Sequence, residues 1–282
     1  MVKIWDVTIP ELTGDQTRLA YVYLPDSYEE EPDLRYPVLY MFDGHNVFFD
    51  SHATYGKSWG MKEYMDETKT QIIIVAIECN HGPDNDRLME YAPYSFEDPA
   101  FGPIEGKGDL YMDWMVRELK PMIDRDYRTL PDREHTMICG SSMGGLMSLY
   151  AVLRFNHIFS KAACLSASFH FCPDEMDRLI YRSDIDPDTI IYLDFGSEEM
   201  RWFKEVREDY TRIISSLFYQ DISLTTRIIP GGTHSEESWG RQIPFFMDTL
   251  LYPFTVEEMA EEELKGEDTE QEEEYTEQEE EI

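Results

Sequence analysis

The chain has 282 residues, 42% of them hydrophobic, enough for a sizeable core in one large domain or two small ones. Its 58 acidic and 24 basic residues give a formal net charge of −34, which argues against binding nucleic acid or an anionic membrane through a broad surface. No apolar run is long enough to span a bilayer, and the first residues, Met1 to Val7, read as an amphipathic strand without the apolar core of a secretion signal, so a cytoplasmic protein is expected.

Along the chain, strand-like segments fall at 2–9, 17–25, 36–42, 71–79, 135–140, 160–166, 189–195 and 223–229. The runs Val38 to Phe42 and Ile72 to Ile77 are continuously apolar, as strands are when both faces of a sheet are covered. Helical patterns fall near 58–69, 109–126, 143–156, 199–219 and 238–251, with Pro121 expected to kink or break the second. This alternation predicts a mostly parallel eight-stranded sheet with helices on both faces. The first two strands are joined by the short turn Glu11 to Asp15, so an antiparallel edge is expected at the amino-terminal side. Residues 80–108 are polar and rich in Gly, Pro and Asp, a long excursion that should border a functional site. None of the four cysteines forms a C-x-x-C pair, so buried free thiols are expected. Residues 256–282 hold 15 acidic side chains and one Lys, which predicts a disordered acidic tail after a domain at 1–255.

The chemistry centres on Gly140-Ser141-Ser142-Met143-Gly144. It follows the apolar run Met137-Ile138-Cys139 and precedes the apolar helix pattern Leu146 to Leu153, which is the context of a G-x-S-x-G nucleophile elbow with Ser142 at its centre. A serine hydroxyl needs a base, and on this fold the order is Ser, acid, His. Of the histidines beyond Ser142, His157 ends the elbow helix, His170 follows the sixth strand, and His234 stands in Pro230-Gly231-Gly232-Thr233-His234 just past the last strand, where a base belongs. The acid should follow the seventh strand, where Asp194, Glu198 and Glu199 all offer a carboxylate and residue chemistry leaves the choice open. Oxyanion donors are expected from the amide of Met143 and, after the third strand, from that of His45, which Gly44 allows to turn inward. The carboxylates and imidazoles of Asp43, His45, Asp50 and His52 match no metal spacing, and 140–145 lack the Lys-Ser/Thr ending of a phosphate loop, so no metal or cofactor is predicted. Trp59, Trp114 and Trp239 could line a pocket or simply pack.

Taken in order, Tyr21-Val22-Tyr23-Leu24-Pro25, Tyr36 to Gly44, Glu118-Leu119-Lys120-Pro121, Cys139 to Gly145, Asp194 to Glu199 and Gly232-Thr233-His234 resemble the esterase D-like family of the α/β-hydrolase superfamily, the branch of enterochelin and feruloyl esterases. The resemblance implies an α/β-hydrolase fold and a serine esterase, and it implies Glu199 as the acid, three residues past Gly196. The expected activity is hydrolysis of a small-molecule carboxylic ester through an acyl-enzyme on Ser142, with His234 as base and Glu199 orienting it. Acyl transfer through the same intermediate, or a non-catalytic binding module on a hydrolase scaffold, are the alternatives.

Overall fold

The computed structural model describes residues 1–202 and 204–252, so the expected acidic tail lies outside the described residues. Met1–Leu250 form one compact unit. Among the described residues there are ten strands: β1 Val2–Thr8, β2 Thr17–Tyr23, β3 Val38–Met41, β4 Ile73–Ile77, β5 Phe96–Asp98, β6 Gly102–Ile104, β7 Thr136–Ser141, β8 Lys161–Leu165, β9 Ile190–Gly196 and β10 Ser223–Ile229. Eight of them make one sheet in the order β1-β2-β4-β3-β7-β8-β9-β10, and β5 and β6 pair as a separate hairpin.

The predicted antiparallel edge is there: β1 runs against β2, and β2 runs against β4. From β4 to β10 every pairing is parallel. Successive strand residues point to opposite faces, and every residue of β3, β4, β7 and β9 is buried, so helices and loops cover both faces in the centre. The two outer strands, β1 and β10, alternate with exposed residues, as expected at the sheet's ends. In a parallel sheet all strand ends of one polarity emerge on one side. The loops after β3, β4, β7, β8, β9 and β10 therefore gather at a single rim, where ligands bind in open α/β sheets.

Elsewhere the chain differs from expectation in ways that have local causes. The helical stretch around Pro121 is not broken: Gly108–Trp114 passes through one wide turn, Met115–Leu119, into Lys120–Asp126, with Pro121 in the first turn after it. A proline lacks the amide that would bond back one turn, and the wide turn lets the chain continue past that gap. The helix Pro173–Arg182 was not anticipated, although Pro173 at its start and Asp174 and Glu175 in its first turn are helix-start signals. The excursion 80–108 holds the short helix Asp86–Glu90 and the β5–β6 hairpin. All four cysteines are buried and free, as predicted. Among the described residues no helix is long and apolar enough to cross a membrane.

Candidate active site

The turn after β7 has the backbone that the Gly-x-Ser-x-Gly spacing implies. Ser142 is held at φ 57° and ψ −121°, a conformation that costs a non-glycine residue about 1–3 kcal/mol. It persists because the surroundings grip it: the Ser142 amide donates to the Leu165 carbonyl at 2.9 Å, and the Ser142 carbonyl accepts from the amides of Leu146 and Ser168 at 3.0 Å each. Strand and helix backbones nearly touch here. A Cβ on Gly140 would come within 2.6 Å of the Gly144 carbonyl carbon, and one on Gly144 within 2.9 Å of Phe42 Cβ. The helix Met143–Arg154 that follows is buried from Met143 to Leu153, so the serine stands on a core element.

The loops after β9 and β10 are stitched together. The Glu198 amide donates to the Gly232 carbonyl at 3.1 Å, and the Gly231 amide to Ser197 Oγ at 2.9 Å. A Cβ on Gly232 would lie 2.9 Å from Gly196 Cα, so these two glycines allow the contact. The contact sets Glu199, in the first turn of the helix Ser197–Trp202, beside His234. His234 Nδ1 lies 2.6 Å from Glu199 Oε2, and His234 Nε2 lies 2.9 Å from Ser142 Oγ. Three side chains spread over 92 residues of sequence thus form one hydrogen-bonded chain.

Of the three carboxylates that the sequence left open, Glu199 is the one that reaches the imidazole. It is nearly buried, and its other oxygen accepts from Ser166 Oγ at 2.8 Å and from the Gly196 amide at 3.0 Å. Ser166 in turn accepts from the Trp239 indole at 2.9 Å, and the Trp239 ring stands edge-on to His234 with centroids 5.0 Å apart. In the sequence Trp239 stands out only as an aromatic, and nothing in the spacing marks Ser166. Asp194 is bonded elsewhere. It accepts from Tyr192 Oη at 2.9 Å and from the Ser166 amide at 3.3 Å. Burial pushes its carboxyl up to about 7, against those hydrogen bonds.

The loop after β3 lies against the turn that follows β7. Gly44 packs on β4 so closely that a Cβ would come 2.7 Å from the Ala76 carbonyl carbon. Asp43, with φ 55°, is clamped by two parallel bonds from Arg87, Nε to Oδ1 at 2.7 Å and Nη2 to Oδ2 at 2.6 Å. Burial pushes the Asp43 carboxyl up, but the Arg87 guanidinium outweighs that and holds it below the ordinary range. The clamp ties this loop to the helix Asp86–Glu90, so the excursion does border the site, as predicted. His45 sits in the turn Gly44–Asn46, and burial lowers its pKa. Met143 begins its helix, where the first amides have no partner within the helix.

The predicted loops meet around a cleft of ≈ 520 Å³, lined by His45, His81, Arg87, Ser142, His234 and Trp239 among others. Trp59 packs against Trp239 with ring centroids 6.0 Å apart, whereas Trp114 borders a different groove, with Trp5 and Arg117. His170 packs beside Phe171 with ring centroids 4.2 Å apart, whereas the bonds of Ser142 Oγ run to His234 and Ser168. Asp50 bonds to Ser58 and His52 to Tyr21, so they do not join Asp43 and His45 in one cluster.

The mostly parallel eight-stranded sheet with its antiparallel edge is that of the α/β-hydrolase fold. The model of the Putative esterase family matches residues 13–246, and the chain belongs to that family. It is 26% identical over 184 residues to the uncharacterized protein YbbA of Bacillus subtilis, a match covering 64% of this chain and 68% of that one. It is 24% identical over 257 residues to an endo-1,4-beta-xylanase/feruloyl esterase of Xylanibacter ruminicola, covering 88% of this chain but 31% of that protein. Among solved structures, the BES protein from Bacillus cereus shares the fold with a TM-score of 0.67 at 18% identity, over 89% of this chain and 95% of that one.

Proposed function

We propose that the protein is a serine carboxylester hydrolase working through an acyl-enzyme on Ser142. The observation that carries this reading is the hydrogen-bonded chain from Ser142 Oγ through both nitrogens of His234 to Glu199, in a chain of the esterase family. Ser142 Oγ attacks the ester carbonyl while His234 Nε2 takes its proton. The imidazolium that forms is stabilised by Glu199, whose position Ser166 and the Gly196 amide hold. The tetrahedral oxygen accepts from the amides of Met143 and His45, a pair of donors of which each is worth about 10²–10³ in rate. His234 returns its proton to the departing alcohol. Water then enters, and the same residues repeat the sequence to release the acid.

The substrate is a small-molecule ester whose acyl or alcohol part fits the ≈ 520 Å³ cleft. The name of the Xylanibacter relative makes aromatic acyl esters the first compounds to assay. The test is hydrolysis of short p-nitrophenyl esters by Ser142→Ala. Turnover should fall by about 10³–10⁴-fold or more. A folded variant that hydrolyses near the wild-type rate would reject the reading.

A further inference from the structure

We propose that His45, Cys79 and His81 form a binding site for a zinc-class divalent cation at the cleft, with a fourth coordination position left open. β3 and β4 are parallel neighbours, so the loops that follow them emerge side by side. The close seat of Gly44 on Ala76 then sets His45 against the segment Glu78 to His81. One ring nitrogen from each histidine and the sulfur of Cys79 all lie within 4.8 Å of one another.

Two further observations point to a ligand. His45 is 5% exposed; its Nε2 lies 3.0 Å from Thr54 Oγ1, while its Nδ1 is buried with no hydrogen-bond partner. A buried, unpaired ring nitrogen is costly unless something occupies it. His81 Nε2 lies 3.0 Å from Glu78 Oε1, and its Nδ1 makes only a long contact of 3.9 Å to Cys79 Sγ, a contact between two of the proposed ligand atoms that a shared cation would replace. A histidine whose second nitrogen is held by a carboxylate is the usual arrangement around protein-bound zinc.

Two nitrogens and one sulfur suit Zn²⁺ better than Mg²⁺ or Ca²⁺, and three protein ligands leave one position for water or a ligand group. Zinc bond lengths of about 2.0–2.3 Å require the donors to close by about 1 Å, which the exposed His81 and its loop can supply. Asp43 is committed to Arg87 and is not counted as a ligand. On binding, the Cys79 S–H bond breaks, a sulfur–metal bond forms and the proton leaves to solvent, with no change of oxidation state. All three residues line the same cleft as Ser142 and His234.

The test is titration of the chelator-stripped full chain with Co²⁺, in a Ser142→Ala background so that binding is read apart from turnover. One equivalent should produce a thiolate-to-cobalt charge-transfer band that Zn²⁺ displaces. Cys79→Ser should abolish the band. His81→Ala, which changes an exposed side chain, should weaken binding by about 100-fold or more. His135→Ala, in the separate surface group Asp132, Glu134 and His135, should leave the band and the affinity unchanged. Absence of a charge-transfer band, equal affinity in His81→Ala and its parent, or loss of the band in His135→Ala would each overturn the proposal.

Discussion

On the β9–β10 side of the cleft, His234 bonds through both ring nitrogens, to Ser142 and to Glu199, and Glu199 is braced by Ser166, which is braced by Trp239. On the β3–β4 side, His45 bonds through one ring nitrogen and leaves the other buried and unpaired beside Cys79 and His81. Both walls are loops on the same rim, held by close backbone contacts at Gly232 and Gly44. The difference lies in satisfaction: one wall is a closed network that fixes a tautomer and an orientation, the other an open one with room for a further partner. A polar network with every member paired is rigid, and one with a member left over invites a ligand.

Breaking the closed wall should be far more costly than altering its surroundings. After Ser142→Ala, the largest effect is expected from Glu199→Gln, which keeps the shape and removes the charge that the proposed mechanism sets against the imidazolium. The kcat for p-nitrophenyl ester hydrolysis should drop by about 10³–10⁴-fold. Gly140→Ala should come next. Its Cβ meets backbone rather than a movable side chain, so chemical denaturation should show a loss of about 3 kcal/mol or more, with the elbow distorted. Ser166→Ala removes one hydrogen bond to a charged group while leaving the Gly196 amide in place, and a loss of about tenfold in kcat is expected.

Asp194→Asn should change activity least, by no more than a few-fold, and its main readout is stability against pH. The Asp194 carboxyl is raised from 3.8 to about 7 in the folded chain. Between those values the folded state holds a proton that the unfolded state has released, so stability falls as pH rises through that window. The neutral amide has no such proton to lose. Thermal unfolding of Asp194→Asn from pH 4 to pH 7 should therefore decline less than that of the wild type. A decline as steep in the variant would show that another group sets it.

The sheet was legible because its strands carry dense local signals. The runs Val38 to Phe42 and Ile72 to Ile77 contain the observed β3 and β4, each run one residue longer at one end. The sharp turn after β7 was legible because close backbone approach dictates glycine at 140 and 144, independently of the rest of the chain. The choice among Asp194, Glu198 and Glu199 was not legible from residue chemistry, since it depends on how Gly196 and Gly232 meet. Family resemblance pointed to Glu199, and Glu199 is the carboxylate that contacts His234. Neither Ser166 nor the grouping of His45 with Cys79 and His81 leaves a spacing signal. Each arises where loops from neighbouring strands converge, and the sequence grouping of His45 with Asp50 and His52 followed chain proximity instead.

The most direct test of the central claim is labelling of the intact protein with a fluorophosphonate, followed by peptide mass spectrometry. The account predicts a single stoichiometric adduct on Ser142, formed rapidly in the wild type and far more slowly in His234→Ala. A folded protein that takes no label, or takes it on another residue, would contradict it.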